Sequence, residues 1–331
     1  MNRPLPLAVL LPLALMGLSA CERPPVDTVQ RGYRGTGLVH VENPRLEAAK
    51  WAQNQPPPST PAAPADGPKA SAVFKNVQVL GEVPVAEFTR LMVDMTQWVA
   101  PEQGCLYCHT TTDFASDDLY TKKVARRMLE MTRAVNSQWK SHTGETGVTC
   151  YTCHRGQNVP AQIWFAAGPD PRADLLTGHR DGAAVPGRMA LVRDPFARHI
   201  GGDAPIPVIG KSALPTGGGA GIKATEETYQ LMIAVSRSLG VNCTFCHNTR
   251  SFAEWSTSSP QRVTAWHGIR MVRDLNANYL APLASVFPPQ RLSASGGGPM
   301  VECGTCHRGV FKPLYGAPMA KGYPELTAAA K

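Results

Sequence analysis

A mainly α chain of two similar lobes joined by long irregular connectors is what this 331-residue sequence predicts, on three observations. Four copies of Cys-x-x-Cys-His recur along the chain. Apolar residues at helical spacing precede three of them. The 30 prolines and 30 glycines cluster between the motif-bearing regions instead of scattering through them, as they do in segments without regular structure.

The copies are Cys105-Leu106-Tyr107-Cys108-His109, Cys150-Tyr151-Thr152-Cys153-His154, Cys243-Thr244-Phe245-Cys246-His247 and Cys303-Gly304-Thr305-Cys306-His307. Two thiols three residues apart can reach the two vinyl groups of one porphyrin, so the pattern reads as c-type haem attachment. The histidine that follows is then set under the iron as proximal ligand. A lone Cys-x-x-Cys also fits zinc or a redox disulfide. Four copies, each with an abutting histidine, leave those readings little room. The predicted cofactors are four covalently bound haem c groups, and the predicted fold is a multihaem c-type cytochrome. Eight of the nine cysteines are used in this way, leaving Cys21.

Residues 1–20 read as a secretion signal. Arg3 precedes an apolar run from Leu5 to Leu18 that is too short for a membrane span. The run closes on Leu18-Ser19-Ala20-Cys21, the pattern of a bacterial lipoprotein cleavage site. Cleavage before Cys21 frees it for acyl lipid attachment, and two or more chains anchor stably where one does not. The expected location is outside the cytoplasm, at the bacterial inner membrane and held there by lipid.

Formal charge is +8, or +7 once Arg3, the only charged residue of the signal, is gone. A basic excess can mean nucleic acid or anionic lipid. Haem propionates are the simpler partners, since arginine commonly neutralises buried carboxylates, and no nucleic-acid partner is expected. Residues 101–120 hold Glu102, Asp113, Asp117 and Asp118 with no Lys or Arg, a local charge of −4. Such a surface beside a terminal haem suits a basic soluble electron donor.

Beyond the signal the chain divides into a lipid-anchored Pro-rich spacer over 21–71, a first dihaem lobe over 72–160 and an irregular connector over 161–221. A second dihaem lobe with a C-terminal tail spans 222–331. Short strands are expected near 161–166 and 205–209. The lobes read as a duplicated unit. Leu91-Met92 precedes the first motif as Leu231-Met232 precedes the third, Phe114-Ala115 matches Phe252-Ala253, Arg127-Met128 matches Arg270-Met271, and Thr-Cys-His-Arg-Gly closes both lobes. Large apolar residues near the motifs are too few for a core without haem.

An electron carrier wants both axial positions of each iron filled. Five histidines remain, His40, His142, His179, His199 and His267, and three of them fall in spacer or connector. Methionines fit better: Met92, Met128 and Met232 each sit on an apolar helical stripe ahead of a motif. Met95 and Met131 are local competitors and read as core. For the fourth iron the repeat nominates Met271, with His267 and His142 as other candidates, and spacing does not decide among them.

With these pieces in place the sequence resembles the tetrahaem cytochrome c subunit of the photosynthetic reaction centre of purple bacteria. The likeness runs from about Ser71 to Tyr323 and includes VARRMLEMTRA, GVTCYTCHRG, NCTFCHN, PQR and GIRMVRDLN at 124–134, 147–156, 242–248, 260–262 and 268–276. It implies axial pairs Met92/His109, Met128/His154, Met232/His247 and, in the one bis-His site, His142/His307. His142 then crosses between lobes, and Met271 becomes a packing residue. It also implies diacylglycerol on Cys21 and a place on the periplasmic face of the photosynthetic membrane, against L- and M-type subunits with bacteriochlorophyll. The implied role is electron carriage and not enzymatic catalysis: re-reduction of the photo-oxidised pigment pair, with a soluble cytochrome c or high-potential iron–sulfur protein as donor. The third haem would lie nearest the pigments and the first farthest out. A multihaem reductase would need an open iron position. A quinol-oxidising cytochrome would favour bis-His sites and a true N-terminal span. A non-redox haem-sensing module would have no use for four haems with helix-borne methionines.

Overall fold

The computed structural model describes residues 27–30, 38–58, 60–166, 194–207 and 222–328. Cys21, the signal, His179 and most of the connector lie outside the described residues. The described chain is helix-rich with few strands. Helix α1, Pro44–Gln53, starts on Asn43, whose side-chain oxygen accepts from Arg45 N–H at 3.1 Å. Helix α2, Val85–Val99, carries Phe88, Met92, Met95 and Val99 on one stripe and the buried Glu87, Leu91, Asp94 and Trp98 on the next. It ends just before Pro101, whose ring cannot continue a helix. Helix α3, Tyr120–Gln138, repeats the pattern with Val124, Met128, Met131 and Val135.

Helix α4 is the second motif itself, Cys150–His154. The second half contains α5, Ile222–Leu239, then α6, Pro260–Asp274, and α7, Cys303–His307, which is the fourth motif. Helix α5 stops at Gly240, whose φ of +65° favours glycine. A Cβ there would also collide with the Gly309 carbonyl, so α5 and the chain after α7 touch only because side chains are missing. The first and third motifs form 3₁₀ turns, Gly104–Tyr107 and Cys243–Phe245. The second and fourth form short α-helices, ended by Arg155 and Arg308 in the left-handed region at φ 52°. Gly156 N–H donates to Trp98 O at 2.8 Å, and Gly309 N–H donates to Ser238 O at 2.9 Å.

Two small antiparallel ladders complete the chain. Strand β1, Asp27–Gln30, pairs with β2, Val39–Glu42. Strand β3, Ile163–Trp164, pairs with β4, Met300–Val301, and so ties the chain leaving the second motif to the chain entering the fourth. The strand expected near 161–166 is therefore β3. Residues 205–207 are described and carry no strand.

The C-terminal residues pack far from their neighbours in sequence. Tyr323 donates to Asp94 Oδ2 at 2.9 Å, and its ring meets Trp98 edge-on at 4.8 Å. The Arg90 guanidinium lies 4.3 Å over the same ring and donates to Gly322 O at 2.7 Å. Arg133 and Asn136 of α3 donate to the carbonyls of Glu325 and Leu326, each at 2.9 Å. Leu326 is fully buried in a cluster with Leu80, Leu91, Trp98 and Leu129. The tail thus supplies part of the core beneath α2 and α3. Leu326→Ala should cost about 2–5 kcal/mol, the range for deleting a fully buried leucine side chain. Denaturant unfolding of the mature protein would measure it, and a loss under about 0.5 kcal/mol, the scale of a surface substitution, would show the tail to be peripheral.

Candidate haem sites

A cavity of about 1400 Å³ runs past His109, His154, His142, His307, Met92 and Met128. Single-ligand pockets commonly enclose about 300–1,000 Å³, so this space suits more than one large group. Met95, Met131 and Met271 also touch it, while packing in the clusters around Leu91 and Val135. Met232 lies elsewhere, against the cluster of Ile200, Leu231 and Val272, and His247 is also outside the cavity lining. Cys246 of the same motif does line it.

The histidines share one arrangement. The Nδ1 atoms of His109, His154 and His247 lie 2.9 Å from the carbonyls of Phe114, Gln157 and Phe252, and that of His307 lies 3.0 Å from Val310 O. His142, on the turn Lys140–Thr143, has its Nδ1 2.9 Å from Thr264 O on α6. A carbonyl accepts only, so each Nδ1 carries the proton and each Nε2 keeps its lone pair for a metal. Burial lowers the pKa of His142, His154 and His247 and pushes His307 down to about 4, which keeps these rings neutral at neutral pH.

The rings of His142 and His307 stand 6.0 Å apart between centroids. A metal sits about 2 Å from an imidazole nitrogen, as in zinc sites. Two such bonds plus the ring radii span roughly the observed gap. Gly268 of α6 makes the approach possible: a Cβ there would come 2.5 Å from His142 Cε1 and 2.8 Å from Nδ1. That residue was invisible as a functional position in the sequence, because its only signal is the space it leaves.

The attachment thiols are buried to differing degrees. Burial pushes Cys108 and Cys246 up to about 11 and Cys150 and Cys303 up to about 12. Cys153 and Cys306 are joined in a disulfide, with Cα atoms 4.4 Å apart. A sulfur in a disulfide cannot carry a thioether, so haem attachment at these two positions requires the pair reduced. The close approach also fixes the second and fourth motifs side by side. Arg155 Nη2 donates to Cys306 O at 3.2 Å and Arg308 Nη2 to Cys153 O at 3.4 Å, crossing between them.

The third motif is covered from the N-terminal side. Val41 N–H donates to Asn242 Oδ1 at 3.2 Å and Thr244 Oγ1 donates to Val39 O at 2.7 Å. His40 is buried, 2.5 Å from Glu42 Oε1, with its ring edge-on to Phe245 at 5.1 Å. His40 falls in the segment expected to be a spacer, yet β2 docks on the third motif. Near the first motif the acidic run is less uniform than its sequence charge. Glu102, Asp113 and Asp118 are exposed, whereas Asp117 pairs with Arg126 at 2.8 Å and Lys122 at 3.6 Å.

A family model described as the photosynthetic reaction centre cytochrome C subunit matches residues 22–327. The chain belongs to that family. It is 53% identical over 317 residues to the photosynthetic reaction center cytochrome c subunit of Rubrivivax gelatinosus, a match covering 94% of this chain and 86% of the relative. Identity to the same subunit of Thermochromatium tepidum is 49% over 324 residues, covering 97% and 80% of the two chains. For Roseobacter denitrificans it is 37% over 332 residues, covering 90% and 85%. As a cytochrome c of a reaction centre, the chain has an electron-transfer role, takes covalently bound haem c and associates peripherally with a membrane complex. Among the described residues no helix is long and apolar enough to cross a membrane.

Gly268→Ala should push the His142 ring out of its position and cost about 1–3 kcal/mol from overpacking. If His142 ligates a haem, electron paramagnetic resonance of the oxidised protein should then show one low-spin haem signal changed and the rest kept. An unchanged spectrum would detach Gly268 from the site.

Proposed function

We propose that this subunit binds four haems in two pseudo-repeated dihaem lobes and re-reduces the photo-oxidised bacteriochlorophyll pair with electrons from a soluble periplasmic donor. The approach of His142 to His307 with both Nδ1 atoms occupied carries this reading, because it sets ring nitrogens from both halves of the chain where they could hold one haem iron. Covalent haem supplies one-electron iron chemistry once bound. The thiols of Cys105, Cys108, Cys150, Cys153, Cys243, Cys246, Cys303 and Cys306 would hold it. His109, His154, His247 and His307 would ligate from one side, and Met92, Met128, Met232 and His142 from the other. Full ligation excludes small substrates, and methionine ligation raises potential relative to histidine. The lobes would span 72–160 and 222–331, on either side of the connector 161–221.

Contacts support an order of sites. Cys153 lying against Cys306 favours the second and fourth sites as inner neighbours, with the first and third outside. Proposed lipid attachment at Cys21 leaves five residues before Asp27, a reach of roughly 20 Å. Since β2 packs on the third motif, that tether favours the third site as the membrane end, against L- and M-type subunits. The signal 1–20 would be removed on export, and 21–71 would serve as the anchored spacer. The first site, with exposed Glu102, Asp113 and Asp118, suits a basic soluble cytochrome c as donor, and a high-potential iron–sulfur protein is the other candidate.

Flash excitation of native membranes should oxidise haem in step with re-reduction of the pigment pair, followed by its α-band absorbance. Haem that stays reduced through the flash would reject the role. Replacing His142 by Met should move a single haem upward in a redox titration. An unchanged titration would return the ligand to Met271 or His267.

A further inference from the structure

A second cavity, of about 480 Å³, opens behind the fourth motif between α5, α7 and the chain around Phe196. It is lined by Gln230, Arg237, Ser238, Glu302 and Arg308. Gln230 is only 8% exposed and its Oε1 has no hydrogen-bond partner, nor has the buried Nε of Arg308. Polar atoms buried in this way call for water or another ligand. A liquid water occupies about 30 Å³, so the space holds several.

The carboxylate in this cavity is adjacent to a haem-attachment cysteine. Glu302 is 8% exposed and precedes Cys303. Its Oε2 accepts from Gly304 N–H at 2.6 Å and from Ser238 Oγ–H at 2.9 Å. Desolvation raises its pKa, while those two donors oppose the rise. The charged groups facing it across the cavity are Arg237 from α5 and Arg308 after α7. Gln230 and Ser238 of α5 and Gln162 ahead of β3 face it as neutral groups, and Phe196 brings no charge. The residue before the second motif is Thr149, which cannot ionise there. In that half of the molecule the large Trp98 and the C-terminal tail fill the space. Ser238 stands where Gly309 makes the bond that Gly156 makes to Trp98, and the smaller side chain leaves room.

We propose that Glu302 is a redox-linked proton acceptor for the fourth haem site, taking one proton from cavity water as that site gains one electron. The ferric site loses one positive charge on becoming ferrous, and the carboxylate becomes a carboxylic acid, so net local charge is unchanged. The electron comes from the neighbouring site and the proton from bulk water through the cavity. The inference rests on the haem ligation proposed above. It makes the potential of the His142/His307 site fall as pH rises, because ionised Glu302 favours the ferric form.

Spectroelectrochemical titration of the mature wild-type protein and of Glu302→Gln at several pH values tests this. The wild-type His/His haem should lose potential with rising pH. The variant should show a raised and pH-independent value, with the His/Met haems unmoved. Redox-difference infrared spectra should show a carboxylic acid band gained on reduction and absent from the variant. Should Glu302→Gln fail to assemble, Ser238→Ala removes a donor to the ionised form and should move the pH-dependent range upward. A wild-type potential without slope, a slope surviving in Glu302→Gln, or a pH-dependent range left in place by Ser238→Ala overturns the proposal. A haem count below four by mass would instead overturn the functional reading on which it stands.

Discussion

The contact on which the rest of this molecule depends joins His142, just past α3, to His307 in α7. It requires three elements at once. The turn Lys140–Thr143 must leave α3 toward the other half, and Thr264 O must hold the Nδ1 proton. Gly268 must leave the ring its space. A side chain at position 268 would push the rings apart and undo this link between the two halves. The tail makes the return journey. Tyr323, Glu325 and Leu326 follow the fourth motif in sequence yet seal α2 and α3. Each half therefore completes the other, and neither is expected to be stable alone.

Much of this was legible in the sequence where a local period encodes it. The stripe of Phe88, Met92, Met95 and Val99 repeats every three to four residues, and α2 forms over it. The same holds for Met128 and Met131 in α3. Spacing could not choose among Met271, His267 and His142, because the approach of His142 to His307 across the two halves leaves no local trace. For the same reason Tyr-Pro-Glu-Leu at 323–326 read as tail and Val39-His40 as spacer. Both are short segments with no period, and only tertiary contact gives them a role. The net charge of 101–120 was read correctly from composition, but the salt bridges of Asp117 to Arg126 and Lys122 bring cations from α3 that lie outside that window.

The two ends of the described chain differ in ways that matter for partners. Beside the first motif stand the exposed carboxylates of Glu102, Asp113 and Asp118, with Phe114 stacked on His109 at 4.7 Å. Beside the third, Phe252 stacks on His247 in the same manner at 5.4 Å, but exposed Trp255 comes next, with the Arg262 guanidinium 3.9 Å over its ring. Similar scaffolds thus present an acidic, hydrated surface at one end and an aromatic, cationic one at the other. Diffusive encounter with a soluble donor is favoured by the first kind of surface, through long-range steering. Large, rigid aromatic side chains suit a lasting interface.

The large cavity bears on how the polypeptide can exist at all. Protein interiors are packed like organic crystals and tolerate few voids. At about 24 cal/mol per Å³, 1400 Å³ of dry void would cost on the order of 30 kcal/mol, above the roughly 5–15 kcal/mol by which domains are stable. Filling with water relieves that figure but leaves Met92, Met128 and their apolar neighbours solvated, which removes the reason for α2 and α3 to pack. The described arrangement therefore needs large apolar groups between its helices. Covalently bound haem c supplies such groups in a form that cannot dissociate, and it follows that the haem-free chain should not hold this fold.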